Sequence, residues 1–502
     1  MAAPSASSPS CFWQVPQHHA GLAPQAPALR FNDCELGYAE LARRIERCAS
    51  TLWHAWGVRA GDRVAWLGLN HPGQLVLLFA LARVGAMLLP LNFRLAPAEW
   101  AQQLAQCQPS HLVHDDAWCT QATDLGRACA LQVHSVAALE AAPAELPAPE
   151  AGAAHSPVLL VFTSGTTGRP RAAVHTQANL LANMRIASQA QAMTCQDRVL
   201  TVLPMFHVGG LCIQTLPALY AGASITLHPR FDAAATLIAF ANDRSTLTLQ
   251  VPATMRALVE HPGWAAADLS SLRAVWAGSS VLPAGLVRAF LERVVPLCNV
   301  YGTTETGPFS IALPPERAAS HVGSCGWPAP GVEAMLTDVQ GGCGQLLVRA
   351  ANVARNYWPR QAACDNAGWF HTGDLATKAD DGSYTLVGRA SDLIISGGEN
   401  IHPAEVESAL SEHPAVAECA AFGLPHAQWG EAVAAAIVLR PGAQLSLELL
   451  RQYLELRLAR FKWPRSVLFV EALPKTALGK VQRRALVSLA ESGGKDPRSR
   501  PG

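Results

Sequence analysis

The 502-residue chain has no excess charge of either sign. Its 38 basic and 38 acidic residues balance to zero, and charged residues make up only 15% of the total. No basic surplus is available to attract nucleic acid, and no acidic run is present. Function must therefore reside in local sites rather than in a global field. The 13 cysteines, from Cys11 to Cys419, form no Cys-x-x-Cys pair and no His/Cys group at zinc-ligand spacing. They read as scattered thiols of a reducing cytoplasm, which is the expected location. Met1 to Ser10 is small and polar and lacks the cation and apolar core of a signal peptide. No run is long and apolar enough for a membrane span. The most apolar stretch, 74–91, is interrupted by Arg83, Gly85 and Pro90 and reads as a buried helix running into a strand. No internal repeat is visible.

What the chain does contain is apolar mass. Hydrophobic residues are half of it, enough for a well-buried globular protein of two or more domains. Short apolar runs read as strands at 63–67, 158–163, 199–203, 224–228, 246–251, 273–276 and 297–301. Helical patterns lie between them, at 179–192, 233–242 and 284–294. This alternation predicts an α/β fold with buried, largely parallel sheets and flanking helices. The Ala- and Pro-rich stretch 137–154 reads as a poorly structured connector. A break near Gly388-Arg389-Ala390-Ser391-Asp392 precedes a new pattern: helix 403–411, strands 416–422 and 433–439, and helix 447–459. The expected organisation is a large domain over 1–388, a hinge at 389–391 and a small mobile α+β domain over 392–502. The tail 493–502 reads as disordered.

The most informative segment is Phe162-Thr163-Ser164-Gly165-Thr166-Thr167-Gly168-Arg169-Pro170-Arg171. It follows an apolar run and concentrates hydroxyls, glycines and cations. Glycines let backbone approach a ligand, N–H and O–H groups donate, and arginines supply charge. That chemistry suits a polyphosphate, although Gly, Ser and Thr also cluster in ordinary loops. Arg169 and Pro170 after Gly168 break the Walker A pattern, so a P-loop fold is not expected.

Six further strings follow. Leu203-Pro204-Met205-Phe206-His207-Val208-Gly209-Gly210 ends a strand. Gly278-Ser279-Ser280 follows another, as does Tyr301-Gly302-Thr303-Thr304-Glu305-Thr306. In the last of these, a hydroxyl beside a carboxylate suits a phosphate with its magnesium, and a solvated turn is the plainer reading. Gly368-Trp369-Phe370-His371-Thr372-Gly373-Asp374 places an Asp after a glycine turn. Asp392 to Pro403 contains the pair Gly397-Gly398, and Pro474-Lys475-Thr476-Ala477-Leu478-Gly479-Lys480-Val481-Gln482-Arg483 lies near the C-terminus.

Together these strings resemble, in order and over about residues 35 to 490, the signatures of the adenylate-forming (AMP-binding) enzymes. They are most similar to the fatty-acid and benzoate-type coenzyme A ligases of the acyl-CoA synthetase branch. The resemblance implies that Thr163, Ser164, Gly165, Thr166, Thr167, Gly168 and Arg171 grip the β- and γ-phosphates of ATP. It implies that Tyr301 stacks on adenine beside Gly302 and Thr303, with Gly278, Ser279 and Ser280 as the other wall. Thr304 would contact the α-phosphate, Glu305 would hold Mg2+, and Asp374 and Arg389 would contact the ribose. Ser396, Gly397 and Gly398 would line the channel for coenzyme A, and Lys480 would be the catalytic lysine. His207, Val208, Gly209, Leu249 and Gly307 would border the acid pocket, together with Ser279.

The implied reaction is adenylation of a carboxylic acid with release of pyrophosphate, then attack by the coenzyme A thiol with release of AMP. Positioning and charge neutralisation carry most of it. Swinging of the small domain about the hinge separates the two steps. Two residues depart from the family pattern: Arg171 stands where Lys is usual, and Ser391 stands where the hinge residue is often Asp, with Asp392 next to it. Small residues at Gly209, Ser279 and Gly307 leave space, and nothing polar is visible to bind a ring substituent. The reading therefore leans to a fatty acid, with a benzoate-type or o-succinylbenzoate-type acid as the alternative. A free-standing amino-acid adenylation domain lacks its acidic pocket residue, and a non-catalytic nucleotide-binding homologue would draw support only from Arg171 and Ser391. Expected partners are small molecules, not nucleic acid. Dimers are common among such enzymes, so a homodimer is one expected state, although no interface is readable.

Overall fold

Strands in this chain read as unbroken apolar runs because both faces of the sheets are covered. The computed structural model describes residues 8–139, 147–163, 170–278, 282–396, 399–455, 457–476 and 480–492. It divides into two compact units, 1–335 with 347–372, and 336–346 with 373–502. The segment 389–391, where the sequence suggested a hinge, thus lies inside the second unit rather than at its edge.

In the first unit, one sheet runs in the order Trp327–Pro328, Ile311–Ala312, Leu297–Tyr301, Ala274–Ala277, Leu247–Gln250, Arg198–Thr201, Ser224–Leu227, Pro27–Phe31 and Cys34–Gly37. The strands from Leu297–Tyr301 to Pro27–Phe31 pair in parallel. Leu247–Gln250 and Ala274–Ala277 are buried throughout, as parallel strands between helix layers must be. The second sheet runs Gln361–Ala362, Asn356–Tyr357, Arg171–Thr176, Pro157–Thr163, Met87–Pro90, Arg63–Leu67, His111–His114 and Gln132–Ser135. It is parallel from Pro157–Thr163 onward and antiparallel before it.

Helix Pro72–Val84 is buried along its whole length, which accounts for the apolar stretch at 74–91. It closes at Gly85, whose φ of 76° suits a left-handed cap. The connector read as poorly structured packs here over its later residues. Gly152 N–H donates to Arg83 O at 2.9 Å, and Arg83 Nη2 donates to Ala148 O at 3.3 Å. A Cβ on Gly152 would lie 1.8 Å from Ala82 O. The connector is therefore ordered there by the orphan carbonyls of a helix end, a demand that composition does not reveal.

The second unit is built on the hairpin Val416–His426 and Gly430–Leu439, with Ser466–Phe469 parallel to the latter. Ile401, Val406, Leu410, Val433, Ile437, Leu450 and Leu454 form its core. The helix expected over 447–459 is shorter, Leu447–Leu454. Leu458 still packs on that core, its N–H donating to Leu454 O in the i to i−4 pattern of one further helical turn.

Candidate functional site

Antiparallel pairing places Thr163 opposite Arg171 at the ends of adjacent strands, so the two ends of the hydroxyl- and glycine-rich segment are held side by side. Ser164, Gly165, Thr166, Thr167 and Gly168 lie outside the described residues. Arg171 is not a lone surface cation. Its guanidinium carbon sits 4.3 Å from the centroid of the Tyr357 ring, close enough for a cation–π contact. Tyr357 belongs to a short strand that pairs with Arg171–Thr176. Its hydroxyl donates to Glu305 Oε1 at 2.7 Å. Burial, and then the Glu305 carboxylate, push the Tyr357 hydroxyl pKa well up, so it remains a donor.

Glu305 lies in the 3₁₀ turn Thr304–Thr306 and is 8% exposed. A buried carboxylate requires partners, and Tyr357 is one that the sequence reading missed. His175 is another. It is fully buried on the Arg171 strand, and burial lowers its pKa to about 4, opposed by the Thr304 backbone and the Glu305 charge. It is therefore a neutral imidazole. Four buried polar atoms here, Arg171 Nε, Thr303 Oγ1 and the two ring nitrogens of His175, have no hydrogen-bond partner among the described residues.

Tyr301 ends its strand and is 8% exposed. Gly302 has to be glycine, because a Cβ there would fall 1.6 Å from Pro308 O. Buried Asn352 ties the same segment: its Nδ2 donates to Thr306 O at 2.8 Å and Phe309 O at 2.9 Å. Gly278 follows Ala274–Ala277 with Val300 O at 2.7 Å from its Cβ position, whereas Ser279 and Ser280 lie outside the described residues.

The two described glycines of the expected acid pocket differ in the space around them. Gly209 is open, with only His207 Nδ1, at 3.4 Å, near its Cβ position. Gly307 is not. Its φ is 94°, and a Cβ would meet Asn183 Oδ1 at 2.8 Å, so its missing side chain accommodates packing and not a ligand. His207 Nδ1 accepts from Gly209 N–H at 3.0 Å, which places the proton of a neutral ring on Nε2. Val208 and Leu249 are buried.

In the second unit, Asp374 and Arg389 face each other across the hairpin, with Arg389 Nε 2.7 Å from Asp374 Oδ1. Asp374 is nearly buried. The turn Ala390–Asp392 carries Ser391, and Asp392 is bound to Arg483 at 3.0 Å, which also binds Glu407 at 2.6 Å. Ser396 ends the strand Ile394–Ser396, while Gly397 and Gly398 lie outside the described residues. The two lysines of the last motif differ. Lys475 Nζ is 2.6 Å from Glu418. Lys480 has an exposed side chain, its backbone held by Thr476 through N–H···Oγ1 at 3.2 Å and Thr476 N–H···O at 2.7 Å.

Two family profiles account for most of the chain: "AMP-binding enzyme" over residues 16–358 and "AMP-binding enzyme C-terminal domain" over 405–480. The chain belongs to the AMP-binding enzyme family. It is 42% identical to the indoleacetate–CoA ligase of Aromatoleum aromaticum, covering 93% of this chain and 95% of that one. It is 39% identical to the feruloyl-CoA synthase of an Amycolatopsis species, covering 93% and 96%. Among solved structures, the o-succinylbenzoate CoA synthetase of Bacillus subtilis with its acyl-adenylate superimposes with a TM-score of 0.87. That match has 30% identity and covers 98% of this chain and 99% of that one. No helix among the described residues is long and apolar enough to cross a membrane.

Proposed function

We propose that this AMP-forming carboxylic acid–CoA ligase, which uses ATP, Mg2+ and coenzyme A, takes an aromatic acid as its substrate. The observation that carries this reading is the resemblance along nearly the whole chain to ligases named for indoleacetate and ferulate. It replaces the lean toward a fatty acid, which rested on an apolar pocket with nothing polar to bind a ring.

The residues fit the chemistry. Arg171 and Thr303 carry buried polar atoms with no partner among the described residues, and the phosphates of ATP would satisfy such donors. Glu305 would hold Mg2+. A single carboxylate suits an ion that keeps water and phosphate oxygens as its other ligands. When bound, the ion neutralises phosphate charge. Tyr357 leaves Glu305 one oxygen for that ion by taking the other, and neutral His175 adds no competing charge. Thr304 and Lys480 stabilise the charge that develops as the carboxylate attacks the α-phosphorus. Asp374 and Arg389, already paired, receive the ribose. His207 presents Nε2 at the acid pocket. The turn 389–391 serves as the hinge, with Asp392 travelling with the small domain through Arg483, so Ser391 carries the bend.

A thioester-formation screen over aliphatic and aromatic acids tests this. Turnover of arylacetates or cinnamates above any alkanoate is expected. Turnover of medium- or long-chain alkanoates alone would sink the aromatic reading and restore the fatty acid. The cytoplasm is the proposed location, in keeping with 13 cysteines, none in a disulfide.

A further inference from the structure

Of the six pocket positions legible in the sequence, only His207 and Ser279 carry a polar side chain, and the structure places a further polar group, Gln214, close to Leu249 and Gly210. A small cavity with room for about one water molecule lies between strand Arg198–Thr201 and the helical segment that follows His207. Thr201, Gly210, Gln214, Thr215 and Leu249 are among its lining residues. Leu249 belongs to the expected acid pocket, and Gly210 follows the open position Gly209, so the cavity adjoins that pocket on its buried side.

The hydrogen bonds around it can be counted. Thr215 Oγ1 donates to Gly210 O at 2.7 Å. Thr201 Oγ1, 2.9 Å away, must then donate to Thr215 Oγ1. Both hydroxyl protons are thus used within the protein. Gln191 Nε2 donates to Ile213 O at 2.8 Å and to Ala187 O at 3.2 Å. Two carbonyl partners fix which end of the Gln191 amide is nitrogen, leaving its Oε1 to accept from Gln214 Nε2 at 2.9 Å. The orientation of Gln214 is fixed in turn. Its Oε1 remains, on a residue 2% exposed, with no partner among the described residues. Leaving a buried carbonyl without a donor costs about 1–3 kcal/mol. The site is therefore shaped to receive one N–H or O–H.

We propose that Gln214 Oε1 is the specificity acceptor of the acid pocket, taking a hydrogen bond from an N–H or O–H on the ring of an aryl acid. The enzyme would then select donor-bearing aryl acids over isosteres that lack the donor. This rests on the aryl-acid reading above. A site built to hydrogen-bond its substrate rejects an analogue without that group more strongly than an apolar pocket rejects a change of one methylene.

The experiment compares kcat/KM of the full-length enzyme for matched acids: indole-3-acetate against benzothiophene-3-acetate, and 4-hydroxycinnamate against cinnamate. The unmodified enzyme is expected to favour the donor-bearing member of at least one pair by about 10- to 100-fold. Gln214→Met, similar in volume and without the acceptor, should bring that pair to within about threefold while sparing the donor-free acid. Equal kcat/KM within both pairs in the unmodified enzyme would mean that the cavity holds only water. That result overturns this inference and leaves the aryl-acid reading intact. A preference that survives Gln214→Met unchanged belongs to another group and also overturns it. Turnover of alkanoates with no aryl acid accepted removes both readings together, and the presence of activity identifies that case. The ratio in the unmodified enzyme needs no variant, so a Gln214→Met protein that fails to fold does not leave the inference untested.

Discussion

The nucleotide end and the acid end of the site are built differently. For the nucleotide, the proposed groups sit on short contiguous strings, Thr163 to Arg171 and Tyr301 to Thr306 in the first unit and Gly373-Asp374 in the second. Contiguity ties residue type to spacing within each string. At the acid end, Gln214, Gln191, Thr201 and Leu249 come from separate elements and share no string. Chemistry common to every substrate can be carried by contiguous motifs, whereas chemistry particular to one substrate is assembled from residues remote in sequence.

That contrast can be broken by experiment. Changes at the nucleotide end should depress every acid alike, and changes at the acid end should reorder acids. The largest effect is expected for Lys480→Ala, a loss of roughly 10³-fold or more in acid-dependent pyrophosphate exchange, the scale on which removing a charge that stabilises a transition state is felt. Lys475→Ala should cost far less, because that ammonium already faces Glu418. If the two lysines prove equal, the assignment of Lys480 is wrong. Glu305→Gln comes next, at about 10²-fold, with a higher magnesium concentration needed for half-maximal rate. An unchanged magnesium requirement would remove Glu305 as the ion's ligand.

Tyr357→Phe should lower adenylation about tenfold, since a hydrogen bond to a charged group contributes about 1.5–3 kcal/mol and only part of it bears on the reaction. Arg171→Lys is expected to raise the KM for ATP by a few fold, the scale of an exposed cation–π contact of about 0.5–1 kcal/mol. Both losses should be the same for an aryl acid with a ring donor and one without. A loss confined to one acid would erase the division between the two ends.

The smallest effect is on stability. His134 lies 3.1 Å from His111 and stacks on Trp56 with centroids 3.7 Å apart. Burial first, then the neighbouring histidines, lower its pKa from 6.5 to about 4. The unfolded chain therefore binds more protons than the folded one between those values, so stability falls as pH drops from 6.5 toward 4 and is full above that window. His134→Gln should flatten that part of a melting-temperature profile. An unaltered slope would mean that the His111–His134 pair does not control it.

The α/β pattern and several of the parallel strands were legible because strands buried on both faces give continuous apolar runs, as at Arg63–Leu67 and Leu297–Tyr301, whereas Pro27–Phe31, His111–His114 and the hairpins over 333–349 and 370–389 were not read as strands. The motif residues were legible for the reason already given. Tyr357 was not, because nothing local distinguishes a tyrosine bonded to Glu305, 52 positions away, from one in a core. His175 was hidden in an apolar strand. Gln214 looked like one polar residue in a helix, and only the fixed orientation of Gln191 shows that its carbonyl lacks a partner among the described residues. Gly307 misled for the opposite reason: small size suggested room, and the space is taken by Asn183.

The span from Tyr301 to Ser310 is locked at Gly302 against Pro308 and at Asn352 against Thr306 and Phe309. It therefore carries Glu305 and Gly307 on one stiff piece of chain. With Glu305 as the proposed magnesium ligand, a substitution that shifts that span should disturb the ion's site as well. Divergence toward new acids has a cheaper route through the Gln214 wall, which can change its polarity without touching the nucleotide groups. The stiffness of one loop thus sets where such an enzyme can vary and where it is held constant.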